Sequence, residues 1–185
     1  MRPILRPVLI LTLLLVLSFA SCRGAQSPPP LAADLLTAMQ AVMTRTAQPL
    51  PAGLVYSRTA ASDGPDYLTA TFFTALYGRA AEGLLEPEED PQAPAPLGDA
   101  ALFLSVAPYP CELAVFRCSD TDVVPTVVAL CRGRLDTVLD GYEEGKPTPT
   151  ASGLVVVKGC FVFLVIAEDP QTVAEGALAA LEAMR

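Results

Sequence analysis

The chain contains no histidine. Without an imidazole there is no Ser-His-Asp or Cys-His nucleophile pair, no His-ligated zinc and no ordinary proton shuttle at neutral pH. Lysine is almost as scarce. Lys146 and Lys158 are the only two, and neither stands in a Ser-x-x-Lys arrangement, so a lysine-based mechanism has no footing. No C-x-x-C occurs, which removes the spacing of thioredoxin-like exchange and of zinc ribbons. Charged residues make up only 17% of the chain against 52% apolar. These absences leave no catalytic constellation, no cofactor-binding motif and no metal-ligand set to assign.

What is present begins with a leader, MRPILRPVLILTLLLVLSFASC. Arg2 and Arg6 supply a positive start, Val8 to Ala20 an apolar run of 13 residues, and Ser18, Ala20 and Ser21 the small residues a signal peptidase requires. A 13-residue helix rises about 20 Å, short of the roughly 30 Å hydrocarbon core a permanent span must cross. Removal is therefore expected, with residues 1–21 as signal peptide. Phe19-Ala20-Ser21-Cys22 resembles a bacterial lipobox, in which cleavage falls before the cysteine and its sulfur carries a diacylglycerol. Phe19 departs from the usual Leu of such boxes. The alternative is an ordinary secretory signal cut after Ala20, which leaves Cys22 as a plain thiol. Residues 22–30 continue as a lipidated cysteine and a proline-rich tether, stiffened by polyproline geometry.

The formal charge is −8, and dropping Arg2 and Arg6 with the leader leaves 10 Lys+Arg against 20 Asp+Glu, or −10. So acidic a surface repels polyphosphate backbones and anionic headgroups, which excludes nucleic acid as a partner and limits membrane contact to a lipid anchor. Residues 31–185 are one domain's worth of chain, long enough for a hydrophobic core.

Along that domain, Leu31, Leu35, Ala38, Met39 and Val42 recur on one face of an amphipathic helix over Leu31 to Thr44, ended by Pro49 and Pro51. At this spacing the methionines read as core filler. A second helix is expected from Asp66 to Tyr77, entered through Asp63-Gly64-Pro65 and closed by Gly78, with Leu68, Phe72, Phe73 and Leu76 inward. Residues 79–99 are proline-rich and acidic, and read as a disordered, solvated loop. Glu86, Glu88, Glu89 and Asp90 lack the alternating ligand spacing of a calcium loop.

From Ala100 the period changes to that of strands. Ala101 to Val106 and Glu112 to Cys118 flank Ala107-Pro108-Tyr109-Pro110 and read as an antiparallel pair, with Glu112 and Arg117 at edge positions of a half-solvated strand. Thr121 to Tyr142 carries a helical stripe of Val124, Val128, Cys131, Leu135, Val138 and Tyr142, with Arg132, Arg134, Asp136 and Asp140 facing away. Leu154 to Val157 and Cys160 to Ala167 form a hairpin about Lys158-Gly159. Both faces of its second strand are apolar, so it should be covered on both sides. Asp169 caps a closing helix with Pro170 in first position and Val173, Ala177, Ala180, Leu181 and Met184 inward.

Four cysteines follow Cys22: Cys111, Cys118, Cys131 and Cys160. Cys111 to Cys118 is excluded as a bridge, because seven extended residues separate their Cα atoms by about 23 Å. Cys131 and Cys160 fall in apolar runs and read as buried free thiols. One bridge, such as Cys111 to Cys160, is the alternative.

The order of pieces resembles a family of uncharacterised lipoproteins of clostridial-type bacteria that share one domain of unknown function. The residues carrying the resemblance are Glu112 with LAVF, Arg132 and Arg134 with Tyr142, and Gly159 with FVFLVIAED, within Leu31 to Arg185. The proline-rich insertion and the extra cysteines are departures. The family implies no established activity.

The expected fold is α+β, a four-stranded, mostly antiparallel sheet with about four helices in the order α-α-β-β-α-β-β-α. The expected function is a non-enzymatic binding or scaffolding module, lipid-anchored at the outer face of the cytoplasmic membrane, with an unknown protein or small molecule as partner. The alternatives are an exported hydrolase built on Glu112, Glu168 and Asp169, which requires paired carboxylates in one pocket, and a soluble secreted protein without lipid.

Overall fold

The structure is a computed structural model and describes residues 28–86, 95–106, 110–143 and 152–184. The expected signal peptide, Cys22, most of the expected tether, Lys146 and the acidic residues Glu88, Glu89 and Asp90 lie outside those residues.

Helix α1 (Ala32–Arg45) buries Leu35, Met39 and Val42 of the expected stripe together with Leu36 and Met43, whereas Leu31 lies exposed before the helix and Ala38 is half-buried. Leu31 precedes it and has no side chain able to cap. The buried carboxylate of Asp99 does so from across the fold, accepting the Ala32 N–H at 2.7 Å and the Ala100 N–H at 2.8 Å. Next comes β1 (Gly53–Ser57), an element the sequence pattern does not announce. It is a sheet edge, with Leu54 and Val55 exposed and no regular alternation of burial.

Helix α2 (Ala70–Tyr77) begins four residues later than Asp66. The backbone of Asp66 to Leu68 is occupied elsewhere: Ser57 N–H donates to the Asp66 carbonyl at 2.9 Å, and Leu68 N–H to the Ser57 carbonyl at 3.1 Å. The helix starts where Thr69 accepts the Phe72 N–H at 3.1 Å, so Pro65 lies outside it. The segment expected to be loop from residue 79 is structured at both ends. Arg79–Ala81 form a 3-10 turn, Ala81 and Leu85 are buried, and β2 (Leu97–Ser105) begins at Leu97.

Strand β3 (Glu112–Cys118) pairs antiparallel with β2. A 3-10 turn over Thr121–Val123 leads into α3 (Val124–Glu143), which carries Pro125 in its first turn. Strands β4 (Ser152–Lys158) and β5 (Phe161–Ala167) form the expected hairpin, one residue out of phase. Lys158 closes β4 opposite Phe161, and Gly159-Cys160 make the turn. Gly159 has φ 61°, a value glycine adopts without a Cβ penalty, at the first turn position that primed hairpins require. Helix α4 (Pro170–Ala183) starts behind the Asp169 cap and buries Val173, Ala174, Ala177 and Leu181.

The sheet order is β1-β2-β3-β5-β4, five antiparallel strands. Among the described residues the expected class and the four helices hold. The strand count and element order are corrected to α-β-α-β-β-α-β-β-α, because β1 intervenes between the first two helices. Helices lie on both faces of the sheet. α1 and α4 cover Phe103, Leu113, Val115, Phe163 and Val165, while α2 and α3 cover Leu102, Ala114, Phe116, Leu164 and Ile166. All seven residues of β5 are buried, as its two apolar faces demand. Strand β3 sits at the centre of the five, so Glu112 and Arg117 are not edge residues. Arg117 is half-buried, with Nη2 donating to the Gly98 carbonyl at 3.4 Å.

Candidate functional site

Alternation along β3 turns Glu112 toward the face that α3 crosses, and there it is 3% exposed. A lone carboxylate in that position is costly unless paired. Its partner is Arg134 of α3. Nε lies 3.2 Å from Oε1 and 2.9 Å from Oε2, and Nη2 lies 2.8 Å from Oε2. This is a bidentate, charge-assisted contact. The Tyr77 hydroxyl, at the end of α2, donates to Oε1 at 3.2 Å. Three elements from separate parts of the chain thus converge on one carboxylate.

The electrostatics follow from burial. The Tyr77 hydroxyl is pushed well above its ordinary range, first by loss of water and then by the adjoining Glu112 charge. Burial pulls the Arg134 guanidinium down, but the hydrogen bonds and charge of Glu112 outweigh it and leave the pKa raised. Burial followed by Glu112 pushes the Cys111 thiol up to about 12 and raises Cys131 as well. Cys118 is raised to about 11 by burial and then by Cys160. Such thiols stay protonated at neutral pH and are poor nucleophiles.

Beside the pair a cleft of about 210 Å³ opens between the β2–β3 end of the sheet and α3. Glu112 and Arg134 form its charged wall, Leu104, Pro110 and Val138 its apolar one, and Ser105, Cys111, Thr137 and Gly141 complete it. Ligand pockets for drug-sized molecules run from about 300 Å³ upward. This one suits a group of a few heavy atoms.

The residues expected to carry carboxylate hydrolysis are not brought together. Glu112 is held by Arg134 and lines the cleft alone of the three. Asp169 spends its carboxylate on the α4 start, accepting the Thr172 N–H at 3.1 Å and the Thr172 hydroxyl at 2.6 Å. That hydroxyl, then the N–H, lowers its pKa. Glu168 is exposed beyond the end of β5.

Cys111, Cys118, Cys131 and Cys160 are all free. The alternative of a Cys111–Cys160 bridge does not fit the register. Glu112 lies opposite Ile166 and Arg117 opposite Phe161, so Cys111 and Cys160 flank opposite ends of the β3–β5 ladder, about 20 Å apart. Among the described residues no group of three potential ligands can hold a metal ion.

Arg134 and Tyr77 are the participants sequence reasoning missed. Arg134 was expected to face outward with Arg132, Asp136 and Asp140, and the other three do. Its position held a signal: it falls three residues after Cys131 and four before Val138, on the inward stripe. An arginine there needs a buried acid, which Glu112 supplies. Tyr77 likewise follows Phe73 by one turn.

The site belongs to an α+β domain with a central antiparallel sheet covered on both faces. Among the described residues no helix is long and apolar enough to cross a membrane. Comparison with protein-family models, curated proteins and solved structures finds no match.

Proposed function

We propose that this chain is an exported lipoprotein, of the kind its sequence resembles, whose domain is a non-enzymatic binding module displayed from Cys22 at the outer face of the cytoplasmic membrane. The observation that carries the binding reading is the cleft beside Glu112 and Arg134. Its two charged groups are already satisfied by one another and by Tyr77, so they shape and polarise the wall instead of supplying a free acid, base or nucleophile. A bound ligand meets the outer edge of the guanidinium, of which 20% of the side chain reaches solvent, and the apolar surface of Leu104 and Val138. Small polar molecules with an apolar end fit that wall.

The leader carries the anchoring half of the reading, through the short apolar run and the Phe19-Ala20-Ser21-Cys22 tetrad. Intact mass of the membrane-extracted protein tests it. The expected mature chain begins at Cys22 and bears a diacylglycerol, and Cys22→Ala loses the acyl mass and leaves the membrane fraction. A mature N-terminus at Ser21, or an unmodified Cys22, ends the lipoprotein reading. For the cleft, thermal unfolding against a panel of small carboxylic acids and amino acids should identify compounds that raise Tm by mass action. Thr137→Trp, which fills the cleft from the exposed side of α3, should abolish the shift.

A further inference from the structure

The β3–β5 ladder, followed one step past Arg117 and Phe161, sets Cys118 directly opposite Cys160. The Cys118 N–H donates to the Cys160 carbonyl there at 2.8 Å. Residues facing one another at a hydrogen-bonded position of an antiparallel ladder have Cα atoms about 5.5 Å apart, inside the window of about 4.4–6.8 Å that a disulfide spans. Both side chains belong to the same face. Cys118 is buried in the layer under α2 and α3, and Cys160 packs against that layer from the hairpin turn. The two differ in access: Cys118 is 3% exposed, whereas Cys160 is only half-buried.

We propose that Cys118 and Cys160 form an oxidation site that closes to a cross-strand disulfide when a low-molecular-weight disulfide reaches Cys160. The Cys160 thiolate attacks one sulfur of the oxidant, making a mixed disulfide and expelling one thiolate. Cys118 then gives its proton to solvent, attacks the Cys160 sulfur and expels the second. The protein loses two electrons and two protons, and the oxidant is reduced to two thiols. Burial holds Cys118 protonated at neutral pH, so the second step is the slow one and accelerates as pH rises. The bridge ties the centre of the sheet to the hairpin turn and closes a loop that contains α3 and β4, which constrains the unfolded chain. Cys131, on α3 above the same layer, is the competing partner.

The test uses the folded full chain incubated with oxidised glutathione, then denatured and alkylated with iodoacetamide. Digestion with trypsin and an aspartate-directed protease separates the four cysteines that follow Cys22, because Arg117 and Asp120 bracket Cys118. The expected product is one peptide containing Cys118 joined to one containing Cys160, with Cys111 and Cys131 alkylated and the link removed by dithiothreitol. The oxidised protein should also unfold at higher urea than the reduced one. Cys160→Ser should abolish the link and Cys111→Ser should leave it intact. Alkylation of Cys111, Cys118, Cys131 and Cys160 alike after oxidation, glutathione retained on Cys160 without a bridge, or a link from Cys118 to any cysteine other than Cys160 each overturns the proposal. Wild-type mapping decides the matter even if a variant fails to fold.

Discussion

Glu112 is the residue on which the interior of this protein is most exposed to error. Its carboxylate is almost fully out of water and rests on one guanidinium and one hydroxyl. Removing a partner from a buried pair costs about 3–5 kcal/mol because the other charge stays behind. Arg134 is a fifth exposed, so Arg134→Met should cost about 3 kcal/mol, the low end of that range. Glu112→Gln combined with Arg134→Met should cost less than Arg134→Met alone; urea unfolding of the three variants measures this. Tyr77 adds a pH signature. Its raised pKa means the folded state prefers the protonated hydroxyl. That preference is fully present below the unfolded value of about 10 and is lost as pH rises through the higher folded value. Stability should therefore fall above about pH 10, and less steeply in Tyr77→Phe, as urea midpoints across alkaline pH will show.

At the scale of elements, helix starts and helix contacts decide where the layers sit. Asp169 caps α4 from an exposed position, and the Thr172 hydroxyl and N–H hold its pKa below the ordinary value. A lowered carboxyl pKa contributes stability that is present above the unfolded value of about 4 and lost as pH falls through the folded one. The gap in urea midpoint between wild type and Asp169→Ala should be constant from neutral pH down to about pH 5 and close in stronger acid. Where α4 meets α1, Gly176 leaves no room for a side chain: a Cβ there would clash with Val42 Cγ2. Gly176→Ala gains helix propensity of about 1 kcal/mol, yet overpacking should outweigh it and leave a net loss of up to about 2 kcal/mol. Adding Val42→Ala should recover part of that loss, which thermal unfolding of the double variant checks.

For the molecule as a whole, the two apolar layers share one sheet, since β3 and β5 send alternate side chains into each. Neither layer can lose its packing and leave the other supported. Tyr56 and Tyr77 lie in the α2/α3 layer, whereas among the described residues no tyrosine lies in the α1/α4 core cluster. Tyrosine fluorescence and far-UV circular dichroism should accordingly report coincident urea transitions. Separate midpoints would show that the layers melt independently.

Much of this architecture was legible in the residues. The stripe of α1, the β3 strand, the doubly apolar β5 and the Asp169-Pro170 start of α4 each announce themselves, because burial on one face or two imposes a period that side-chain chemistry must follow. Gly53–Ser57 imposed none, since an edge strand with exposed Leu54 and Val55 is not asked to alternate. The start of α2 was hidden for a related reason: Asp66 to Leu68 have their backbone hydrogen bonds taken by β1, a partner with no local signature. By itself the sequence determined the class of fold and the absence of histidine chemistry. Only the tertiary structure decided that Glu112, Arg134 and Tyr77 meet, that Cys160 faces Cys118 and not Cys111, and that Asp99 caps a helix that begins 67 residues before it. Each of these depends on strand register and on which helix crosses which face, and those are set by packing between segments that are distant in the chain.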